Sequence, residues 1–226
     1  MMNGLMRSLI VIILLIFQGK LVSQDMDRVY GPDPLLYNGK KYSYFLPRGT
    51  GGNQFLISTD YINGEVTIKG KRFEGVSLNY DIYNQQLLLQ YTNESGAIDI
   101  IEISKAWLES FRLDNLLFRY LNLDNGAKFY QVLGNGPFLM LYYYRKDLKL
   151  DYANGTQIFA FSSPSKSRYV LISNKLHPFG NARGLVSLFD PAHRSGIRNY
   201  IRDNGIKVKK ASDQTMTELI NYIGNL

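Results

Sequence analysis

The chain has 226 residues, with 26 lysine and arginine residues against 19 aspartate and glutamate residues and a net charge of +7. It contains no cysteine, which excludes disulfide bonds and leads us to expect no lipid anchor of the kind that is attached to a cysteine. A chain of this length can bury the hydrophobic core of one domain without metal or disulfide staples.

Residues 1–24 predict a secretory signal peptide. Arg7 supplies a positive charge, residues 9–17 form an unbroken apolar run, and a polar stretch ends at Gln24. The apolar run is too short to cross a bilayer, which requires about 20 residues in a helix. We therefore expect an exported protein, periplasmic or extracellular, that is cleaved after Ser23 or Gln24 and has no transmembrane segment in its mature form. An uncleaved segment that serves as an anchor is the alternative.

An irregular lead-in is predicted for residues 25–40, and an antiparallel β region for residues 41–175. The clearest strand has apolar residues at every second position, which is the period of a strand with one buried face. These positions are Val76, Leu78, Tyr80 and Ile82. A polar break at residues 84–85, followed by three leucines, predicts a hairpin.

Further strands are predicted along the β region. They cover residues 99–103, 115–121, 128–133, 138–144, 156–161 and 169–173. The glycines around Asn135 predict a second hairpin, and the segment at 162–165 predicts a third, between the last two strands. The pattern predicts a mainly β (α+β) fold, a curved antiparallel sheet or barrel-like sandwich with two to three C-terminal helices.

A helical segment is predicted for residues 176–226 and is expected to pack on the same domain. Its helices are predicted at 182–189, at 192–203 and after a cap at Ser212 or Asp213. The last helix has an apolar stripe at helical spacing, formed by Met216, Leu219, Ile220 and Ile223.

Several stretches of the chain together resemble a group of exported β-rich proteins of Bacteroidota bacteria. The stretches are GEVTIKG (64–70), KRFEGVSLNYDIYN (71–84), FYQVL (129–133), SRYVLI (167–172), IRNYIRDNGIKVKK (197–210) and ELINYI (218–223). They are similar to the RYNiYnd hairpin and the yik.nki…l..yyn helical tail of that group. Leu-Asn-Tyr at 78–80 departs from the commoner Leu-Arg-Tyr. The resemblance implies an exported location and a β-rich fold, and it implies no catalytic residue.

Positive charge is concentrated near the C-terminus, since residues 141–226 hold 13 basic and 6 acidic side chains. Arg194, Arg198 and Arg202 recur every four residues and predict a basic stripe along one helix. A solvated surface is the alternative interpretation of this stripe. As a binding surface, it would take an anionic lipid or glycan. We expect no nucleic acid partner and no cofactor.

Tyr142 and Tyr144 would share one face of a strand. Such a pair can stack on sugar rings or lie at a lipid interface. The alternative is that both rings fill the edge of the core.

Catalytic patterns are weak in this sequence. Asp190, His193 and Ser195 are too close together for a triad, whose members normally come from separate elements. The carboxylate pairs Glu102 with Glu109 and Asp81 with Glu94 have no distinctive spacing for glycoside hydrolysis. No zinc-binding spacing is present. We therefore expect a binding or scaffolding protein of the envelope rather than an enzyme. The alternatives are a carboxylate-dependent hydrolase and a carrier of a hydrophobic ligand within a curved sheet.

Overall fold

Eleven antiparallel strands form one sheet in the computed structural model, which describes residues 33–153 and 156–226. The predicted signal peptide and the predicted lead-in up to residue 32 lie outside the described residues. Residues 33–38 contain a turn in which the backbone N–H of Leu35 donates to the carboxylate of Asp33 at 2.9 Å. All strands and helices belong to one unit, Gly39–Leu226.

Thirteen strands and three helices are found in the described residues. The strands are β1 (Gly39–Lys41), β2 (Ile62–Ile68), β3 (Lys71–Asp81), β4 (Gln86–Thr92), β5 (Ile98–Ile103), β6 (Leu108–Leu113), β7 (Leu116–Leu123), β8 (Gly126–Leu133), β9 (Leu139–Arg145), β10 (Leu148–Ala153), β11 (Thr156–Phe161), β12 (Ser165–Ile172) and β13 (Lys175–Pro178). The helices are α1 (Ala182–Ser187), α2 (Arg194–Asp203) and α3 (Asp213–Gly224). The order in the sheet is β1-β5-β4-β3-β2-β6-β7-β8-β9-β12-β13, and β10 pairs with β11 alone.

The sheet is strongly curved, as its aromatic core shows. The Tyr80 ring on β3 lies 5.5 Å from the Phe129 ring on β8, although β2, β6 and β7 separate these strands in the sheet. In a flat sheet, strands four places apart would be about 19 Å apart. Phe111 and Phe118 complete the cluster and stack on each other at 4.8 Å. The predicted curved antiparallel sheet is confirmed, and its edge strands β1 and β13 do not pair, so the described sheet is not a closed barrel.

The first predicted hairpin is formed by β3 and β4, with Asp81 opposite Gln86. Asp81 is fully buried and holds the turn, because its Oδ1 accepts hydrogen bonds from the backbone N–H groups of Tyr83 at 2.9 Å and Asn84 at 2.8 Å. Its Oδ2 accepts a bond from the hydroxyl of Tyr42 at 2.7 Å. This carboxylate therefore ties the chain that follows β1 to the β3–β4 turn.

The third predicted hairpin is wrong. β11 pairs with β10, whereas β12 pairs with β9 on one side and with β13 on the other. Strands that are neighbours in the chain are predicted to pair, but β10 and β11 form a hairpin inserted between β9 and β12, which are neighbours in the main sheet. The second predicted hairpin, β8 with β9, is confirmed.

The last helix, α3, packs on β8 and β9. Ser212 caps it by accepting a bond from the backbone N–H of Thr215 at 3.1 Å, and all four residues of the predicted apolar stripe are buried. The β8–β9 turn comes so close to this helix that a Cβ at Gly134 would lie 2.6 Å from the Ile220 side chain. No helix among the described residues is long and apolar enough to cross a membrane.

A polar network joins the sheet to α3. The hydroxyl of Tyr144 donates to Oε1 of Gln131 at 2.7 Å, and Nε2 of Gln131 donates to the carboxylate of Asp213 at 2.6 Å. Gln131 is buried, with an exposed fraction of 1%. Lys166 lies 3.4 Å from the other carboxylate oxygen of Asp213. Asp213 also stands in the first turn of α3, where a negative charge is favourable.

We expect Asp213→Ala to lower the free energy of unfolding by about 2–3 kcal/mol, because the buried amide of Gln131 loses its acceptor and the first turn of α3 loses its charge. Glu218→Ala is the matched control on the exposed side of the same helix and should cost less than about 0.5 kcal/mol. Urea denaturation followed by circular dichroism measures both variants. An equal loss in the two variants would contradict the docking role of Asp213.

Candidate functional site: an arginine-lined groove

A groove of about 520 Å³ is lined by residues of α1 and α2. Its charged lining consists of four arginines, Arg183, Arg194, Arg198 and Arg202. Its apolar lining consists of Ala182, Val186 and Ile201. The three arginines of the predicted stripe are thus brought together with a fourth, from α1, beside an apolar surface.

The packing of α2 fixes which way its arginines point. Ile197 and Ile201 are buried on one side of the helix, which leaves Arg198 and Arg202 exposed on another side. Tyr200 stacks on Tyr222 of α3, with ring centres 4.0 Å apart. The orientation of α2 therefore depends on α3.

Arg194 has a structural task. Its Nε donates to the backbone carbonyl of Phe189 at 2.8 Å, and its Nη2 donates to the carbonyl of Ser187 at 3.0 Å. Carbonyls at the end of a helix lack partners within the helix, and a cation placed there also complements the helix dipole. Arg194 therefore holds α1 against α2, and two of its nitrogen donors are already bonded to backbone carbonyls.

The other three arginines differ in whether their guanidinium groups have a partner within the described part of the protein. Arg202 forms an exposed ion pair with its neighbour Asp203, at 3.0 Å, which is a weak interaction in water. The side chains of Arg183 and Arg198 have no hydrogen bond or ion pair within the described part of the chain, and both are exposed. These two guanidinium groups are the ones that the groove can offer to a ligand.

Tyr142 and Tyr144 share one face of β9, as their spacing predicts, but that face is buried, with exposed fractions of 1% and 8%. Burial, helped by the negative charge of Asp213, raises the pKa of Tyr142 to about 12. The ammonium group of Lys166 lies 4.5 Å from the centre of the Tyr142 ring. The binding surface predicted for these two tyrosines is therefore corrected to a packing position beneath the helices, because their rings present no free face.

The suspected triad does not assemble. Asp190 accepts a bond from the backbone N–H of Ala192 at 2.8 Å, and His193 occupies the N-cap position of α2 without a side-chain capping bond. No hydrogen bond joins these two residues to Ser195 in residues 33–153 and 156–226. They serve as turn and helix-start residues.

Three of the four carboxylates considered for hydrolysis have separate local partners. Glu109 accepts a bond from the backbone N–H of Gly70 at 2.8 Å, and Glu102 pairs with Lys40 at 3.2 Å. Asp81 is enclosed in the β3–β4 turn. In the described residues, no group of three or more histidines, aspartates and glutamates is placed to hold a metal ion.

Comparison with known proteins assigns the chain to no family. Neither family models, nor curated proteins, nor solved structures match the chain. Function is therefore inferred from the shape and charge of the groove.

The sequence predicts three of the four groove arginines, and Arg183 is not among them. The predicted helix at 182–189 contains Arg183, but the spacing within one helix does not show which neighbouring helix lies against it. It also does not show that Arg194 would be bound to the end of that neighbour. Both facts depend on the docking of α1 and α2.

We expect Arg194→Gln to lower the free energy of unfolding by about 1–2 kcal/mol, because two carbonyls at the end of α1 lose their charged donor. Arg198→Gln is the control, with the same substitution one turn along α2, and should change stability by less than about 0.5 kcal/mol. Thermal and urea denaturation measure both effects. Equal stability of the two variants would show that the capping bonds contribute nothing.

Proposed function

We propose that this protein is an exported, non-enzymatic binding protein of the bacterial envelope, and that its arginine-lined groove holds the anionic headgroup of a lipid. The observation that carries the proposal is the juxtaposition in one groove of two unpaired guanidinium groups, Arg183 and Arg198, with the apolar side chains of Val186 and Ile201. The predicted signal peptide and the resemblance to exported Bacteroidota proteins support the location.

The chemistry of arginine favours a phosphate or carboxylate in this groove. A guanidinium group presents its N–H donors in a planar fork that matches two oxygens of such a group. The excess of positive charge in residues 141–226 attracts anions to this part of the chain. A volume of about 520 Å³ lies within the usual range of ligand sites.

The apolar lining favours a lipid over an acidic glycan. Half-buried Ala182 and the edges of the largely buried Val186 and Ile201 offer contacts to the methylene groups beside the charged head of a lipid. Burial of such groups contributes about 0.8 kcal/mol for each methylene removed from water. An amphiphilic anion uses both linings of the groove, whereas an acidic glycan, whose C–H faces stack on aromatic rings, meets no aromatic side chain among the described lining residues.

We expect Arg183→Gln/Arg198→Gln to weaken binding to vesicles of phosphatidylcholine with phosphatidylglycerol by roughly 30-fold, since each arginine near an anionic surface contributes about 1 kcal/mol. The wild-type affinity should also fall as salt is raised from 50 to 300 mM. Vesicle co-sedimentation measures both.

The control is Lys149→Gln/Lys175→Gln, which removes the same charge at two exposed positions outside the groove and should leave binding within about twofold of wild type. An equal loss in both double variants would mean that only overall charge matters. Binding of heparin that depends on Arg183 and Arg198, with no binding of vesicles, would assign the groove to acidic glycans.

A further inference from the structure

Two adjoining cavities surround the exposed residues Tyr44 and Phe45, in the chain that follows β1. One, of about 400 Å³, is completed by the β3–β4 turn, and the other, of about 480 Å³, includes Tyr61. Both are lined by Ser43, Tyr44 and Phe45. The ring of Phe45 is 97% exposed and that of Tyr44 is 44% exposed. An aromatic side chain as exposed as Phe45 contributes little to folding and is available to a ligand.

The turn side of the first cavity is aromatic and rigid. Tyr83 and Phe161 pack edge to face, with ring centres 5.3 Å apart and planes at 76°. Tyr83 lies two residues after Asp81, and the backbone N–H of Tyr83 donates a hydrogen bond to the buried carboxylate of Asp81. These rings are therefore held in place before any ligand arrives.

Apart from its tyrosines, the first cavity has a polar lining of three carboxamides and one hydroxyl, those of Gln54, Asn84, Gln86 and Ser43. The amide nitrogen of Asn84 donates to Asp81 at 2.8 Å, and that of Gln86 donates to Glu102 at 2.8 Å. The amide nitrogen of Gln54 donates to the hydroxyl of Tyr42 at 3.2 Å. Each side chain is thereby oriented by a donor bond to a protein oxygen, and its amide oxygen is left as the acceptor for a ligand.

The absence of charge distinguishes these cavities from the arginine-lined groove. Among the described residues that line either cavity, there is no lysine, arginine, histidine, aspartate or glutamate. The carboxylate of Asp81, which is directly bonded to the amide of Asn84, disfavours an anion, whereas the charge of Glu102 is balanced by Lys40. The cavities therefore suit a neutral ligand that donates hydroxyl hydrogens and has apolar faces.

We infer that these cavities form a site for a neutral oligosaccharide, whose rings stack on Phe45, Tyr44 and Tyr83 and whose hydroxyl groups donate to the amide oxygens of Asn84 and Gln86. A sugar ring has both properties, apolar C–H faces and hydroxyl donors around its edge. Two cavities that share Tyr44 and Phe45 accommodate more than one ring. This site is distinct from the groove and does not rest on the function proposed for it.

The experiment titrates the protein with maltotetraose, cellotetraose and chitotetraose, using isothermal titration calorimetry and saturation-transfer NMR. We expect at least one of the three to bind, and Phe45→Ala to weaken that binding about fivefold or more. Tyr83→Ala is a second variant with the same expectation. Tyr152→Ala is the control, because Tyr152 is 74% exposed on β10, outside both cavities, and its loss should leave binding unchanged.

Arg183→Gln/Arg198→Gln should bind the oligosaccharide as the wild type does, which separates this site from the groove. Absence of binding for all three oligosaccharides overturns the inference. So does binding that survives in both Phe45→Ala and Tyr83→Ala. Binding of polygalacturonate in place of the neutral sugars would overturn the conclusion that the ligand is uncharged.

Discussion

The hydrogen bond from Gln131 to Asp213 connects the two parts of this structure. Gln131 lies on the sheet and is buried, so its amide needs a partner, and the carboxylate at the start of α3 supplies one at 2.6 Å. Tyr222 of α3 stacks on Tyr200 of α2, and Arg194 of α2 binds the end of α1. The positions of α1 and α2, and with them the shape of the groove, therefore depend on the bond that holds α3 to the sheet. The sheet acts as the support, and the helices carry the charge.

A second carboxylate, that of the fully buried Asp81, has the same role at the other site. It fixes the β3–β4 turn and, through Tyr42, the exposed chain that carries Tyr44 and Phe45. The molecule therefore displays two surfaces of opposite chemistry, a cationic groove with an apolar lining and an uncharged aromatic cavity. A protein with both surfaces would hold a charged lipid and a neutral glycan by separate means, as we propose.

Much of the fold could be predicted because its signals are local. The stripe on α3 predicts one buried face and is confirmed. The alternation at 76–82 predicts strand β3 correctly, but Asn79 and Asp81 on the opposite face are buried as well. The pairing of β12 with β9 could not be read in the same way, since an inserted hairpin separates them in the chain. The burial of Tyr142 and Tyr144 could not be predicted either. Their spacing shows that they share a face of the strand, but it does not show that α3 covers that face.

The most direct test of the groove is NMR of the arginine Nε–H groups during titration with dihexanoyl phosphatidylglycerol, a short-chain anionic lipid. Our account predicts that the signals of Arg183 and Arg198 shift with one common affinity, while the signal of Arg145, on β9 outside the groove, stays in place. Shifts spread evenly over all exposed arginines, or no shift at Arg183 and Arg198, would contradict it.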